Sequence, residues 1–251
     1  MKTLVCGDLH TKYHIFEKVK SLSEDYETVV FLGDYVDEWH SAPAASYNLV
    51  QSLIEWKKVE PKKVVLLLGN HDVSEWLGGE YMCSGYNYSV SSFVSPLFEN
   101  NKKLFQVAYA SDDILYTHAG VTKQWWKSIG HRKCKSADGY AKILNKIDLL
   151  NTNDKYKAKV LAWAGVSRGG SHTPSPMWAD KSDLENDDIG NIIQVVGHTP
   201  VEHIIYDSND DRTLIFCDTH SKTSQGKLIG DGALLHLEKD EDGQLMMKAI
   251  Y

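Results

Sequence analysis

What the chain has little of already narrows its class. Of its 251 residues only four are cysteine (Cys6, Cys83, Cys134 and Cys217), and no two stand as Cys-x-x-Cys. That spacing argues against a zinc knuckle or a disulfide framework and fits a reducing compartment. No apolar run approaches the roughly 18 residues of a membrane span, and the opening MKTLVCGDLH lacks the long apolar region of a signal peptide. No block of like charges is long enough to be a tail. Lysine and arginine (27) are outnumbered by aspartate and glutamate (34), for a net charge of −7. A mildly acidic surface gives no electrostatic footprint for duplex nucleic acid. Internal repeats and low-complexity segments are missing too. These absences predict an ordinary cytoplasmic globular protein with no membrane or duplex nucleic-acid partner. Hydrophobic content of 42% and charged content of 24% agree with that.

What is present is arranged around Thr28 to Trp39, TVVFLGDYVDEW. Val29 to Leu32 is an apolar, partly β-branched run that stops at a glycine, the pattern of a buried strand ending in a sharp turn. Asp34 and Asp37 follow it, at the strand end where ligands bind in open α/β sheets. Upstream, Thr3 to Cys6 predicts a strand ending in Gly7-Asp8-Leu9-His10, and Phe16, Val19 and Leu22 fall at helical spacing behind it. Downstream, Leu49, Val50, Leu53 and Ile54 mark a helix, and Lys63 to Leu68 a third strand ending in Gly69-Asn70-His71-Asp72. Three parallel strands in succession are thus expected to end in glycine plus metal-friendly side chains.

Residues 73–103 are aromatic and less regular. Leu104 to Ala108 and Ile114 to Tyr116 read as a hairpin around Ser111-Asp112-Asp113, and the second strand ends in Thr117-His118-Ala119-Gly120. Residues 121–190 form a mainly helical and loop excursion: Tyr140, Ile143, Leu144 and Ile147 lie on one face, Ser167 to Pro176 is a Gly/Ser/Pro-rich loop, and Asp180 to Asp188 is a solvated acidic run. Ile192 to Val196 then leads into Gly197-His198-Thr199-Pro200. Strands near Ile204–Tyr206, Leu214–Cys217, Ala233–Leu237 and Leu245–Ile250 suggest a second, mixed or antiparallel sheet.

Five strand ends therefore carry Asp8, His10, Asp34, Asn70, His71, His118 and His198. Taken singly, a turn aspartate or a core histidine is the commoner fate of each. Together they combine hard carboxylate and amide oxygens with imidazoles and no thiolate, a donor set suited to Mn, Fe or Zn in a catalytic rather than a structural site. In extended chain an Asp-x-His pair sends both side chains to one side. Asp34 is the natural carboxylate to bridge two ions, and a pair roughly 3.5–4 Å apart can clamp the oxygens of an in-line displacement at phosphorus.

Gly-Asp-x-His, Gly-Asp-x-x-Asp, Gly-Asn-His-Asp, His-Ala-Gly and Gly-His-Thr, in this order, closely resemble the motifs of the calcineurin-like metallophosphoesterases. The nearest look is the branch of Ser/Thr protein phosphatases and their small bacterial and phage relatives. The resemblance implies one metallophosphoesterase domain over residues 1–251. Its fold would be an α/β architecture, a β-sandwich of two mixed sheets flanked by helices, with the active site at the strand C-terminal ends. It implies two divalent ions, Mn²⁺ first, with Fe or Zn as alternatives. Asp8, His10 and Asp34 would hold one ion; Asp34, Asn70, His118 and His198 would hold the other. A metal-bridging hydroxide would attack the phosphate ester, with His71 as general acid and Asp37 orienting it. Pro200 stands where many broader relatives carry a further histidine ligand.

The protein-phosphatase branch follows Gly-Asp-x-x-Asp with Arg-Gly, and that arginine grips phosphate. Here Glu38 and Trp39 occupy those positions, which removes a bidentate contact and argues against specificity for phosphoproteins. Arg168 is the replacement candidate for substrate binding. The reading is a phosphatase acting on a small molecule, nucleotide or phosphoprotein ester. Its alternatives are a phosphodiesterase or dinucleoside-polyphosphate hydrolase, and a non-catalytic metal-binding scaffold. A scaffold would be expected to have lost ligands or the acid histidine, and none is lost. His220, at a strand end, is a further pocket candidate; Trp39, Trp76, Trp125 and Trp126 offer stacking surface or core.

Overall fold

A computed structural model of the chain describes residues 2–39, 41–131, 133–147, 159–160, 162–240, 242 and 244–251. Part of the 121–190 excursion, residues 148–158, lies outside the described residues, as does His40. The chain divides into two compact units, one of residues 1–105, 200–204 and 217–251, the other of residues 106–199 and 205–216.

In the first unit, β1 (Lys2–Cys6), β2 (Thr28–Phe31) and β3 (Val64–Leu67) pair in parallel, with Val5 opposite Val30 and Val30 opposite Val65. Every residue of β2 and β3 is buried, which is why they read as continuous apolar runs and not as alternating ones. The crossovers are α1 (Tyr13–Leu22) and α2 (Pro43–Val59), the latter opened by a proline that costs its first turn no hydrogen bond. Trp56 of α2 packs edge-on to Phe16 of α1 at 5.8 Å and to Phe31 of β2 at 6.0 Å. Full burial of a side chain such as Phe31 contributes about 1.5–3 kcal/mol. The turn after β3 runs straight into α3 (Asn70–Trp76), so Asn70 and His71 sit on a first helical turn; α4 (Tyr88–Asn101) follows.

The last two strands differ from the sequence expectation. β10 (Leu234–Lys239) returns to the first sheet, antiparallel to β1, and β11 (Leu245–Ile250) closes the edge beyond it. With the two-residue β4 (Phe105–Gln106), the order is β11-β10-β1-β2-β3-β4. The reason is legible in burial: Leu234 to Leu237 are all buried, as a strand flanked on both sides must be, whereas β11 alternates exposed and half-buried residues.

The second unit holds β5 (Ala108–Ser111), β6 (Ile114–Thr117), β8 (Ile205–Asn209) and most of β7 (Ile193–Pro200) and β9 (Arg212–Asp218), in the order β5-β6-β7-β9-β8. β5 and β6 form the expected hairpin through Asp112, at φ +50°. The strand expected over Leu104 to Ala108 is split at Val107, where the N–H groups of Val107 and Ala108 both donate to Asn145 Oδ1 at 2.9 and 3.0 Å. β6 runs parallel to β7 and β8 antiparallel to β9, so this sheet, like the first, is mixed. Helices α5 (Lys123–Ser128), α6 (Ala137–Leu144) and α7 (Lys181–Asp187) are among those it carries. The buried face of α6 is Ala137, Tyr140, Ala141 and Leu144, with Ile143 and Ile147 half-exposed. The acidic run is not featureless: Asp180 and Asp183 cap α7 reciprocally and Leu184 anchors it. Among the described residues no helix is long and apolar enough to cross a membrane.

Candidate metal centre

Asp8 and Asp34 are buried, at 1% and 2% exposure, where a carboxylate is costly without compensating partners. One ligand atom from each of Asp8, His10 and Asp34 lies within 4.8 Å of the others. His10 does not reach the cluster by strand alternation. It takes φ +39° and Thr11 +60°, and the N–H groups of Leu9 and His10 both donate to Asp34 O, at 3.1 and 2.8 Å. A left-handed turn folds the loop after β1 over the one after β2. His10 Nδ1 lies 2.9 Å from Val36 O. A carbonyl only accepts, so Nδ1 carries the proton and Nε2 presents its lone pair towards Asp8 and Asp34, 3.9 and 3.8 Å away. Burial, only partly opposed by the charge of Asp34, pushes the imidazole pKa down to about 4 and keeps it neutral.

The ends of β2 and β3 touch. A Cβ on Gly33 would stand 2.4 Å from Gly69 N, and one on Gly69 2.1 Å from Asp34 Oδ1. Gly33 also sits at φ +107° and Asp34 at +52°. Glycine is needed at both positions for that approach. What fixes the touching turns is Asp72, a residue for which the sequence suggested no role. Fully buried, its carboxylate accepts from Asp34 N (2.7 Å), Tyr35 N (2.8 Å) and Gly69 N (2.9 Å). Its third position in α3, set to reach back to the N-cap, was the available signal. Asp34 Oδ1 in turn accepts from His71 N at 2.9 Å. Asn70 is 4% exposed; its Nδ2 donates to Cys83 Sγ (3.1 Å) while the thiol donates to the Asn70 backbone O (3.2 Å), which turns the side-chain nitrogen to the sulfur and the side-chain Oδ1 the other way.

His71 lies edge-to-face with His10, ring centroids 5.1 Å apart, and its Nδ1 is 3.1 Å from Asp37 Oδ2. Burial lowers its pKa, but the charge of Asp34 and the Asp37 hydrogen bond outweigh it and carry it up to about 9. Two histidines in van der Waals range are therefore driven opposite ways: His10 neutral, His71 protonated.

Glu38 is not an isolated anion. Lys12 Nζ lies 2.5 Å from its Oε2, with the two side chains 4% and 8% exposed, and Lys222 Nζ lies 3.4 Å from the same oxygen. Burial opposes ionisation of Glu38, and the two lysines override it and hold its carboxyl below the usual range. The cation missing at position 38 is thus supplied from two other loops.

In the second unit, His118 after β6 is fully buried, and His198, within β7 at φ +63°, is 8% exposed. His118 Nε2 and His198 Nδ1 are 3.1 Å apart, and Gly197 N donates to His118 O at 2.8 Å. Trp178 meets the His198 ring edge-on at 6.0 Å. Arg168 backs the pair: Nη2 donates to His198 O (3.2 Å) and Thr199 Oγ1 (2.9 Å), and Nε faces Asp180 Oδ2 at 2.9 Å. None of these contacts uses Nη1. His220 is 1% exposed and burial pushes its pKa down to about 4. Trp76, Trp125 and Trp126 are core residues, whereas Trp39 is 46% exposed.

The sequence profile of the calcineurin-like phosphoesterases matches residues 1–223, and the chain belongs to that family. It is accordingly a metal-dependent phosphoester hydrolase. No curated protein matches it. Among solved structures it is similar to a protein serine/threonine phosphatase from Saccharomyces cerevisiae, at 17% identity and TM-score 0.59 over 100% of this chain and 79% of that one. It is also similar to a cold-active protein-tyrosine phosphatase from a psychrophilic Shewanella, at 18% identity and TM-score 0.55 over 98% of this chain and 80% of that one. At such identities the likeness concerns the fold. The family's divalent ions fit the residues present: two buried carboxylates and an imidazole held in its ligating tautomer converge within 4.8 Å.

Proposed function

We propose that the protein is a phosphatase that uses two divalent ions, Mn²⁺ first, with Fe or Zn as alternatives. Asp8, His10 and Asp34 would hold one ion, and Asp34 again, with Asn70, His118 and His198, the second, as the motif resemblance assigns them. Residues 1–251 would act as one catalytic domain. Bound ions would supply Lewis acidity to a water and to the phosphoryl oxygens. The chain's own groups do the rest. His71 gives its Nε2 proton to the leaving oxygen, and Asp37, on Nδ1, holds the ring in that tautomer and stabilises its charge. The His71–Asp37 pair at 3.1 Å beside the Asp8–His10–Asp34 cluster is the observation that carries this reading. Arg168, through its Nη1 arm, is the proposed phosphate contact. Four free thiols support a reducing, cytoplasmic setting.

A second reading, a phosphodiesterase or dinucleoside-polyphosphate hydrolase, draws on Glu38: its pairing with Lys12 and Lys222 leaves compact ammonium charges in place of a guanidinium fork, which favours dianionic monoesters less. The test is a panel with Mn²⁺: p-nitrophenyl phosphate, bis-p-nitrophenyl phosphate, a dinucleoside polyphosphate and a phosphopeptide, with metal content measured in parallel. Hydrolysis of the first fastest supports the phosphatase. Faster diester or polyphosphate cleavage supports the second reading, and no turnover by metal-loaded protein leaves a binding scaffold.

A further inference from the structure

Cys83 reaches the first turn of α3 by a detour of the chain. After Trp76 the backbone reverses through Gly78 and Gly79, at φ +63° and +82°, and folds back onto the helix it has just left. Gly79 N donates to Ser74 O (3.0 Å), Cys83 N to Ser74 Oγ (3.1 Å) and Asn87 N to Glu75 Oε1 (2.8 Å), so the returning segment is tied to α3 on both sides of the cysteine. The thiol it delivers is 7% exposed and meets Asn70 twice, at Nδ2 (3.1 Å) and at the backbone oxygen (3.2 Å). A thiol has one proton to give, and a peptide carbonyl can only accept one. The proton therefore lies towards the backbone oxygen, and the sulfur shows the amide only lone pairs. Turned over, the amide would bring a second oxygen to compete for that single proton. As it stands, Nδ2 donates and both contacts are satisfied.

We propose that Cys83 is a positioning residue for the metal centre: held between the Asn70 backbone oxygen and Nδ2, its thiol fixes the amide in the one orientation that can ligate a divalent ion through Oδ1. The orientation matters because an amide binds a hard cation only by its oxygen; its nitrogen carries two protons and would repel the charge. The segment between α3 and α4 thus acts on the ion through a single side chain. The thiol is needed as a proton donor and an acceptor in one small atom, and it takes part in no redox or covalent step. Partners of this kind, which orient a ligand without touching the metal, are each worth about 10–100-fold in metal affinity.

The inference rests on Asn70 as a metal ligand, proposed above, and the experiment separates the two. Mn²⁺ is titrated into the full-length metal-free protein, and free Mn²⁺ is followed by electron paramagnetic resonance. Cys83→Ser keeps a proton to give and lone pairs to accept with, and should leave both Mn²⁺ affinities within about threefold of wild type. Cys83→Val removes both and should weaken one ion by about 10–100-fold, with the other within about threefold. In an Asn70→Ala background the same Cys83→Val should change nothing further, because the cysteine acts only through the amide; a merely structural cysteine would weaken both ions and add to Asn70→Ala. An amide whose oxygen holds a cation is a stronger N–H donor. Infrared difference spectra of Mn²⁺-loaded against metal-free wild type should therefore show a shifted S–H stretch that is missing in Cys83→Ser, whether or not Cys83→Val folds. The proposal is overturned if that shift is missing, if Cys83→Ser binds as poorly as Cys83→Val, or if Cys83→Val weakens both ions alike or neither. Asn70→Ala is the control. Both ions retained there at wild-type affinity overturns the ligand assignment and this inference with it, whereas one ion lost there but neither in Cys83→Val overturns this inference alone.

Discussion

The two units secure their metal-friendly side chains by opposite chemistry. In the first, a buried acid collects backbone donors: Asp72 accepts three N–H groups and so fixes the turns that carry Asp34 and Asn70. In the second, a cation collects backbone and hydroxyl acceptors: Arg168 donates to His198 O and Thr199 Oγ1 and is steadied by Asp180. The difference follows what is being held. Buried carboxylates on tight, left-handed turns need the peptide N–H groups around them committed elsewhere or to them, and an acid does that. An imidazole inside a strand needs only its backbone pinned, and a partly exposed arginine suffices.

Substitutions can break or sharpen that contrast. The largest effect is expected for Asp34→Asn, which should lose most of both ions and nearly all turnover by metal analysis and assay; two ions retained would remove Asp34 as the bridge. Next comes His71→Asn, which should keep its metals while kcat for poor leaving groups falls about 10²–10⁴-fold. Asp72→Ala should destabilise the fold by about 2–4 kcal/mol in denaturant titrations, because buried N–H groups lose their acceptor. It should also weaken metal binding, and a variant with unchanged stability would end the claim that this acid organises the first unit. Arg168→Ala should cost less, lowering kcat/KM by about 1.5–3 kcal/mol for every substrate. If bound metal falls with it, the arginine acts through His198; if metal stays and KM rises, it acts on phosphate. Smallest is Glu38→Gln, for which freeing Lys222 should lower KM for a dianionic monoester a few-fold; no change would make the lysine pair purely structural.

Much of the first unit was legible because its signals are local. An apolar run that stops at Gly33 or Gly69 announces a buried parallel strand and the turn behind it, and the acid or amide that follows announces the site. Contacts between distant residues were not legible. Glu38 read as a lone anion because Lys222 lies far along the chain, and its neutralisation exists only once the loops meet. Asp72 stood in a motif without a role of its own, and only the meeting of the turns after β2 and β3 gives it one, as acceptor for Asp34 N, Tyr35 N and Gly69 N. His10 reached the expected cluster by an unexpected route, since alternation assumes an extended chain and its φ of +39° is not extended. β10 and β11 were recognisable as strands, but strand pattern does not name a partner.

That partner choice sets the order in which the molecule can assemble. β1 lies between β2 and β10, with Lys2 opposite Glu238, so nearly the entire chain separates the two sides of one hydrogen-bonded ladder. During synthesis at about 5–20 residues per second, β1 waits on the order of ten seconds or more with one edge unpaired. Loop-closure entropy makes such a pairing slow even in the finished chain. An exposed apolar strand edge is a template for other chains. In the newborn protein the hazard therefore lies at β1, and truncation before Leu234 should produce aggregation, not a smaller enzyme.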